Sequence, residues 1–115
     1  MFVNTELTGD GPEPSLVLYG DIHDAYLESS HGRTLVNVGS VGDALDIPGA
    51  SYVILETTAG GAVSDPIGVQ FIRVPYDVEA EIATAAELRM PELEAYAVEL
   101  RTAVFRGLHA ERGLR

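Results

Sequence analysis

Up to residue 74 the chain alternates short apolar runs with breaks rich in Gly, Asp and Pro; beyond Pro75 the apolar spacing lengthens. Residues 15–19, 34–38, 51–56 and 69–74 are runs rich in Val, Ile, Leu and Tyr, the first two closing at Gly20 and Gly39. Runs of that length and composition between turn residues predict strands. Residues 57–66 contain Gly60-Gly61 and Asp65-Pro66, which predicts an irregular excursion between the third and fourth strands. Strands this close in sequence are expected to be antiparallel neighbours, because a parallel crossover takes about a dozen residues or more.

After Pro75 the period becomes helical. Asp77 is placed to cap a helix over residues 78–88, with Val78, Ile82 and Ala85 on one face. Met90-Pro91 opens a second helix with Pro91 at its first position and Glu92 and Glu94 at the positive dipole end. Leu93, Ala97, Leu100 and Val104 form its apolar stripe, Tyr96 flanks it, Arg101 and Arg106 lie toward its negative end, and Gly107 is the expected stop. The pattern describes one α+β domain over residues 1–115: a mostly antiparallel sheet over 15–74, two carboxy-terminal helices over 77–107 and a frayed tail over 108–115.

Composition narrows the function classes. At 115 residues the chain holds one domain, and 46% hydrophobic with 22% charged residues is globular composition. No apolar run reaches the ~20 residues of a membrane helix. Residues 1–10 carry Glu6 and Asp10 and no basic residue, so no signal peptide is expected. The chain has no cysteine, hence no disulfide or zinc–thiolate site, and a cytoplasmic location is expected. The net charge is −11, and all seven basic residues are arginine. Residues 1–80 hold twelve acids against two arginines, residues 81–115 six against five. That field opposes binding to a nucleic-acid backbone or an anionic membrane, and it leaves solubility or cations as reasons for the acidic portion.

Two segments carry candidate chemistry. Tyr19-Gly20-Asp21-Ile22-His23-Asp24 follows a strand directly. In extended backbone Asp21 and His23 point the same way and can share a cation, carboxylate and imidazole being ligands for zinc, manganese or iron. The bland alternative is a solvated turn. Asn37-Val38-Gly39-Ser40-Val41-Gly42 runs from a strand into a turn where Gly39 and Gly42 permit positive φ and close approach, and Asn37 and Ser40 can bond the loop. Taken alone it is a tight turn. His31 is expected at an exposed hairpin position and His109 in solvent, while Tyr26, Tyr52 and Tyr76 are expected to pack with hydroxyls at the edge.

In order and spacing, Tyr19-Gly20-Asp21-Ile22-His23, Asn37-Val38-Gly39-Ser40-Val41-Gly42 and Ala50-Ser51-Tyr52-Val53-Ile54-Leu55 resemble the carboxy-terminal signature of the calcineurin-like metallophosphoesterases. That signature is a strand ending in GHxH, a strand ending in N-P-G-S-x-G, and a strand of the type A-S-Y-x-I-L. Arg73-Val74-Pro75-Tyr76-Asp77 and the helices after it resemble the small bacterial phosphodiesterase-like branch, so the likeness covers about residues 16–107. It implies one half of an α/β/β/α sandwich and hydrolysis of phosphate esters by two divalent cations (Mn, Zn, Fe or Ni) about 3.5–4 Å apart. His23 falls on a family metal ligand, and Asp21 stands where the family has its other histidine. Gly20, Asn37, Gly39 and Ser40 fall on the active-site loops; no catalytic residue is assigned. Val38 replaces the family's proline. The family's earlier motifs, D-x-H, G-D-x-x-D and G-N-H, do not occur before Gly20. The resemblance thus implies a carboxy-terminal half: weak or absent metal binding, no activity as an isolated chain, and a partner in a second copy (a dimer) or in a missing amino-terminal half. The other reading is a non-catalytic binding or assembly module of the same descent. Self-association is expected because Leu16-Val17-Leu18, Leu35-Val36, Tyr52-Val53-Ile54-Leu55 and Phe71-Ile72 are apolar on both pleat faces.

Overall fold

The computed structural model describes Gly11 and residues 13–62 and 64–114; the expectation for residues 1–10 lies outside these. Five strands, β1 (Leu16–Tyr19), β2 (Tyr26–Ser30), β3 (Arg33–Asn37), β4 (Ala50–Glu56) and β5 (Gly68–Val74), precede the helices α1 (Val78–Glu87), α2 (Leu93–Thr102) and α3 (His109–Arg112). The class is α+β as expected, but the strands form two small sheets instead of one. The first has the order β1-β3-β2 and the second is the β4–β5 hairpin.

The sequence pattern missed β2. It pairs antiparallel with β3 through the turn His31-Gly32, whose φ angles of 51° and 73° are both left-handed. Such a two-residue turn follows the natural twist of a hairpin. β1 then pairs with β3 in parallel, Leu16 opposite Thr34 through Tyr19 opposite Asn37, contrary to the antiparallel expectation. The connection is long enough because β2 itself is the crossover, laid on the far side of β3. β4 and β5 pair without interruption from Ala50–Val74 to Glu56–Gly68, and the stretch between them is irregular as expected.

Asp77 caps α1 by accepting the Ala80 backbone N–H at 3.0 Å, and Val78, Ile82 and Ala85 are at least partly buried together. α2 departs from expectation at both ends. Pro91 lies outside it, with Glu92 in a left-handed conformation at its start, and it ends at Thr102 well before Gly107. The early stop has a cause: Glu99 reaches past the helix end and accepts the Arg106 backbone N–H at 2.7 Å, which fixes the chain reversal at Ala103. The tail is also more ordered than expected. Residues 109–112 are helical, and His109, expected in solvent, is half-buried with Nε2 2.8 Å from the Val104 carbonyl oxygen. Arg101 joins the two long helices, donating through Nε and Nη2 to the Glu79 carboxylate at 2.6 Å each.

The buried apolar core is small: Val36, Ala44, Ala85, Ala97, Val98, Leu100 and Ala103. Most of it lies on or under the helices, while many large apolar side chains of the strands stay half-exposed. Among the described residues no helix is long and apolar enough to cross a membrane.

Candidate functional site

The loop ends of β1 and β3 are neighbours because those strands run parallel. The Val38 N–H donates to the Tyr19 carbonyl at 2.9 Å, so Gly20 meets the start of the second loop directly. A Cβ on Gly20 would lie 3.2 Å from Val38 Cγ2. The second loop is fixed from inside: Asn37, fully buried, accepts the Gly39 N–H on Oδ1 at 2.9 Å, and Ser40 Oγ accepts the Asp43 N–H at 3.1 Å. Gly39 has φ 78°. A side chain there would be strained by the backbone angle and would collide with Ser51 Oγ. Ser51, at the start of β4, closes the junction by donating Oγ to the Val38 carbonyl at 3.1 Å and its N–H to the Ser40 carbonyl at 2.9 Å. Gly20, the Asn37–Ser40 loop and Ser51 therefore form one polar junction.

The first loop is clamped to the connection after it. The Leu45 N–H donates to the His23 carbonyl at 2.9 Å, and the Ala25 N–H donates to Asp46 Oδ2 at 3.3 Å. Asp46 in turn holds the Arg73 guanidinium of β5, one arm at 2.9 Å, which ties the two sheets. Burial pushes the Asp46 carboxyl up, but the bonds from Arg73 and from the Ile47 and Ala25 backbones outweigh it and hold the group below the usual range.

Beyond this clamp lies a cleft of about 460 Å³, walled by Asp21, Ile22, His23 and Asp24 from the first loop, Asp43 and Leu45 from the second, and Glu99, Phe105 and Arg106 from the helical end. His23 has φ 60°, so the segment is bent there and is not the extended backbone of the sequence reading. His23 Nδ1 faces Asp43 Oδ2 at 3.6 Å, too long for a hydrogen bond. Neither His23 Nδ1 nor Asp43 Oδ1 has a hydrogen-bond partner among the described residues, although both atoms are buried. Burial and the nearby Glu99 charge raise the Asp43 carboxyl above its ordinary value, with His23 and Arg106 opposing them. Glu99 is 1% exposed. Burial pushes its carboxyl up, and the Arg106 side-chain and backbone bonds, at 2.6–3.1 Å, win and hold it low.

Asp43 and Glu99 were not singled out from the sequence, and Arg106 was read only as a charge at the negative end of the second helix. Nothing in the spacing marks them, since the loop and the helix end that carry them meet only through the tertiary fold. Asp21 and Asp24, both exposed, line the same cleft as His23; Gly20, Asn37, Gly39 and Ser40 belong to the junction beneath it. His31 occupies the exposed hairpin tip, its Nδ1 2.6 Å from Ser30 Oγ. Tyr26 meets the Tyr19 hydroxyl edge-on across β3, and that hydrogen bond, with burial, pushes its hydroxyl up to about 12.

Chemically the cleft is acidic: four carboxylates, one imidazole and one guanidinium already committed to Glu99. Among the described residues no three His, Asp or Glu side chains converge as a metal ligand set. The residues present thus do not fit a binuclear centre, and no hydrolytic step follows from them. No family model matches the chain, and neither does any curated protein or solved structure.

Proposed function

We propose that this chain is the carboxy-terminal half of a calcineurin-like metallophosphoesterase fold, half of an α/β/β/α sandwich, and that by itself it does not hydrolyse phosphate esters. The observation that supports the family reading is the junction of Gly20, Gly39 and Ser51. The three stretches that resemble the family, apart in sequence, bond one another directly through backbone and hydroxyl groups. The parallel pairing of β1 with β3 brings Gly20 to the second loop, and the two bonds of Ser51 add the third stretch.

The second reading, a non-catalytic binding or assembly module of the same descent, is favoured by the cleft. Asp21 stands at a histidine position, His23 Nδ1 faces the Asp43 carboxylate, and the carboxylates repel a phosphate dianion unless cations neutralise them. Two or three protein ligands with no supporting shell hold a divalent cation loosely, outer partners being worth roughly 10–100-fold in affinity.

Hydrolysis of nitrophenyl phosphate mono- and diesters, with manganese, nickel or zinc added, tests the proposal. The expected rate is that of metal in buffer. Metal-dependent turnover abolished by His23→Ala would overturn the inactive reading and establish an enzyme. Calorimetry with zinc or manganese on the wild type and on Asp21→Ala/His23→Ala separates loose binding from none: identical titrations make the first loop a solvated turn.

A further inference from the structure

We propose that Tyr19 and Tyr26 form a modification site, an oxidative staple in which a one-electron oxidant couples the two rings into dityrosine within one chain. The strand register sets up the pair. Tyr19 of β1 and Tyr26 of β2 both lie opposite Asn37 of the central strand β3, so the three side chains share one face of the sheet. Two strand spacings, roughly 10 Å, separate the tyrosine backbones. The rings lean toward one another across that gap: their centroids are 6.2 Å apart at 81°, an edge-on contact. The two hydroxyls are hydrogen-bonded. The carbons ortho to each hydroxyl, where phenoxyl radicals join, are therefore at the facing ring edges.

Composition directs oxidation to this pair. The chain has no Cys and no Trp, the side chains that otherwise give up an electron most readily, and it has five Tyr. Methionine goes to a sulfoxide, which forms no cross-link. Among the described residues Tyr19 and Tyr26 are the only aromatic rings in contact, so a radical on Tyr52, Tyr76 or Tyr96 has no ring beside it to join. Both rings of the pair are half-buried, which leaves part of each open to an oxidant. The proton that leaves with the electron also has a place to go. The Tyr19 hydrogen bond, burial and the charges of Tyr19, Glu28 and Asp21 hold the Tyr26 hydroxyl protonated, and the last two groups are carboxylates able to accept its proton.

In the reaction each phenol loses one electron and one proton. The two phenoxyl radicals join through one new carbon–carbon bond between ortho carbons, and the two carbon–hydrogen bonds there break as both rings regain their hydroxyls. A peroxide takes up the two electrons and two protons and leaves as two waters, so the chain becomes lighter by two hydrogens. The product ties β1 to β2 across β3. It also closes a ring on the segment that carries Asp21, His23 and Asp24, one wall of the acidic cleft.

The inference rests on the tyrosine pair and not on the phosphoesterase reading, so the hydrolysis result leaves it untouched. The test treats the whole chain with a haem peroxidase and limiting hydrogen peroxide, then measures dityrosine fluorescence and the mass of the monomer. The wild-type monomer is expected to fluoresce and to be lighter by two hydrogens. Proteolysis before aspartate, at Asp21 and Asp24, should leave the pieces that carry Tyr19 and Tyr26 joined. Tyr19→Phe and Tyr26→Phe keep the rings and should each lower monomer dityrosine at least tenfold. Tyr52→Phe and Tyr76→Phe should leave it unchanged. The cross-linked monomer should unfold at a higher urea concentration than the untreated one. Monomer dityrosine that survives Tyr19→Phe or Tyr26→Phe, or dityrosine that forms only in covalent dimers while the monomer keeps its mass, would overturn it.

Discussion

The junction around Gly39 and the β4–β5 hairpin are joined at Ser51, yet they are built on opposite terms. At the junction Asn37 and Ser51 are almost wholly buried polar residues, and their side chains bond the backbone. The hairpin has a full ladder, yet it leaves Tyr52, Ile54, Leu55 and Val74 about two-fifths exposed. Geometry holds the first region: one backbone angle and one close approach that only glycine satisfies. The second is held by strand pairing, and the hydrophobic burial its side chains are suited to is missing. Substitutions should therefore be severe at the junction and mild on the hairpin.

The largest effect is expected at Gly39→Val. A β-branched residue at φ 78° is an outlier, and its side chain must displace Ser51 Oγ from the Val38 carbonyl. Backbone strain of roughly 1–3 kcal/mol and a lost hydrogen bond of about 1 kcal/mol give a loss near 3 kcal/mol in urea denaturation. Ile54→Ser on the hairpin should cost less than about 1 kcal/mol, since the side chain is already partly in water. Equal losses would erase the distinction between the regions.

The contrast also explains how much was legible in the sequence. Four strands and both long helices were visible because their apolar spacing is strong and Gly20, Gly39 and Asp77 punctuate it. β2 was not, because its stretch Tyr26-Leu27-Glu28-Ser29-Ser30 has two apolar residues at one end and only Tyr26 is even half-buried. The parallel pairing of β1 with β3 depended on that missing strand. Of the site, the loop residues Gly20, Asp21, His23, Asn37, Gly39 and Ser40 were legible because turns announce themselves locally. Glu99 was not, since a buried charge in a helix is indistinguishable by spacing from one on a solvated face, and the roles of Asp43 in its loop and Arg106 past the helix end depend on that same tertiary meeting. The stripe on α2 shows the same limit: Ala97 and Leu100 are buried as expected, but Val98 and Glu99 between them are buried too.

Glu99→Gln probes that hidden part, with the next largest effect. Its carboxylate accepts both the Arg106 guanidinium and the Arg106 backbone N–H, and Glu99 is 1% exposed. Breaking a buried pair costs roughly 3–5 kcal/mol, and the partial exposure of Arg106 should reduce this to about 2 kcal/mol. The pair is also acid-sensitive. Glu99 and Asp46 both sit below their ordinary values, so their contribution is present above the unfolded carboxyl pKa and is lost as pH falls through the lowered folded values. Stability measured from pH 7 downward should fall below about pH 4.5 in the wild type. Glu99→Gln should flatten that fall, and a variant as acid-sensitive as the wild type would remove Glu99 from the account.

The smallest expected effect has the opposite sign. The Asp43 carboxyl is raised by burial and by Glu99, so the native chain holds its proton more tightly than the unfolded chain does. Between the unfolded pKa and that raised value the native state binds more protons, and stability from this group falls as pH rises. At pH 7 the ionised Asp43 is a net cost, with one buried oxygen unpartnered and His23 Nδ1 3.6 Å from the other. Asp43→Asn keeps the shape and removes the charge, so it should raise stability at pH 7 by no more than about 1 kcal/mol. The gain should vanish toward about pH 3, below the ordinary aspartate value, where the wild-type carboxyl is protonated in both states. Urea midpoints of the two proteins at those pH values decide it. A variant less stable than the wild type at pH 7 would mean that the ionised carboxylate is held by His23, and that the cleft is a stabilising ion pair and not an unfilled acidic pocket.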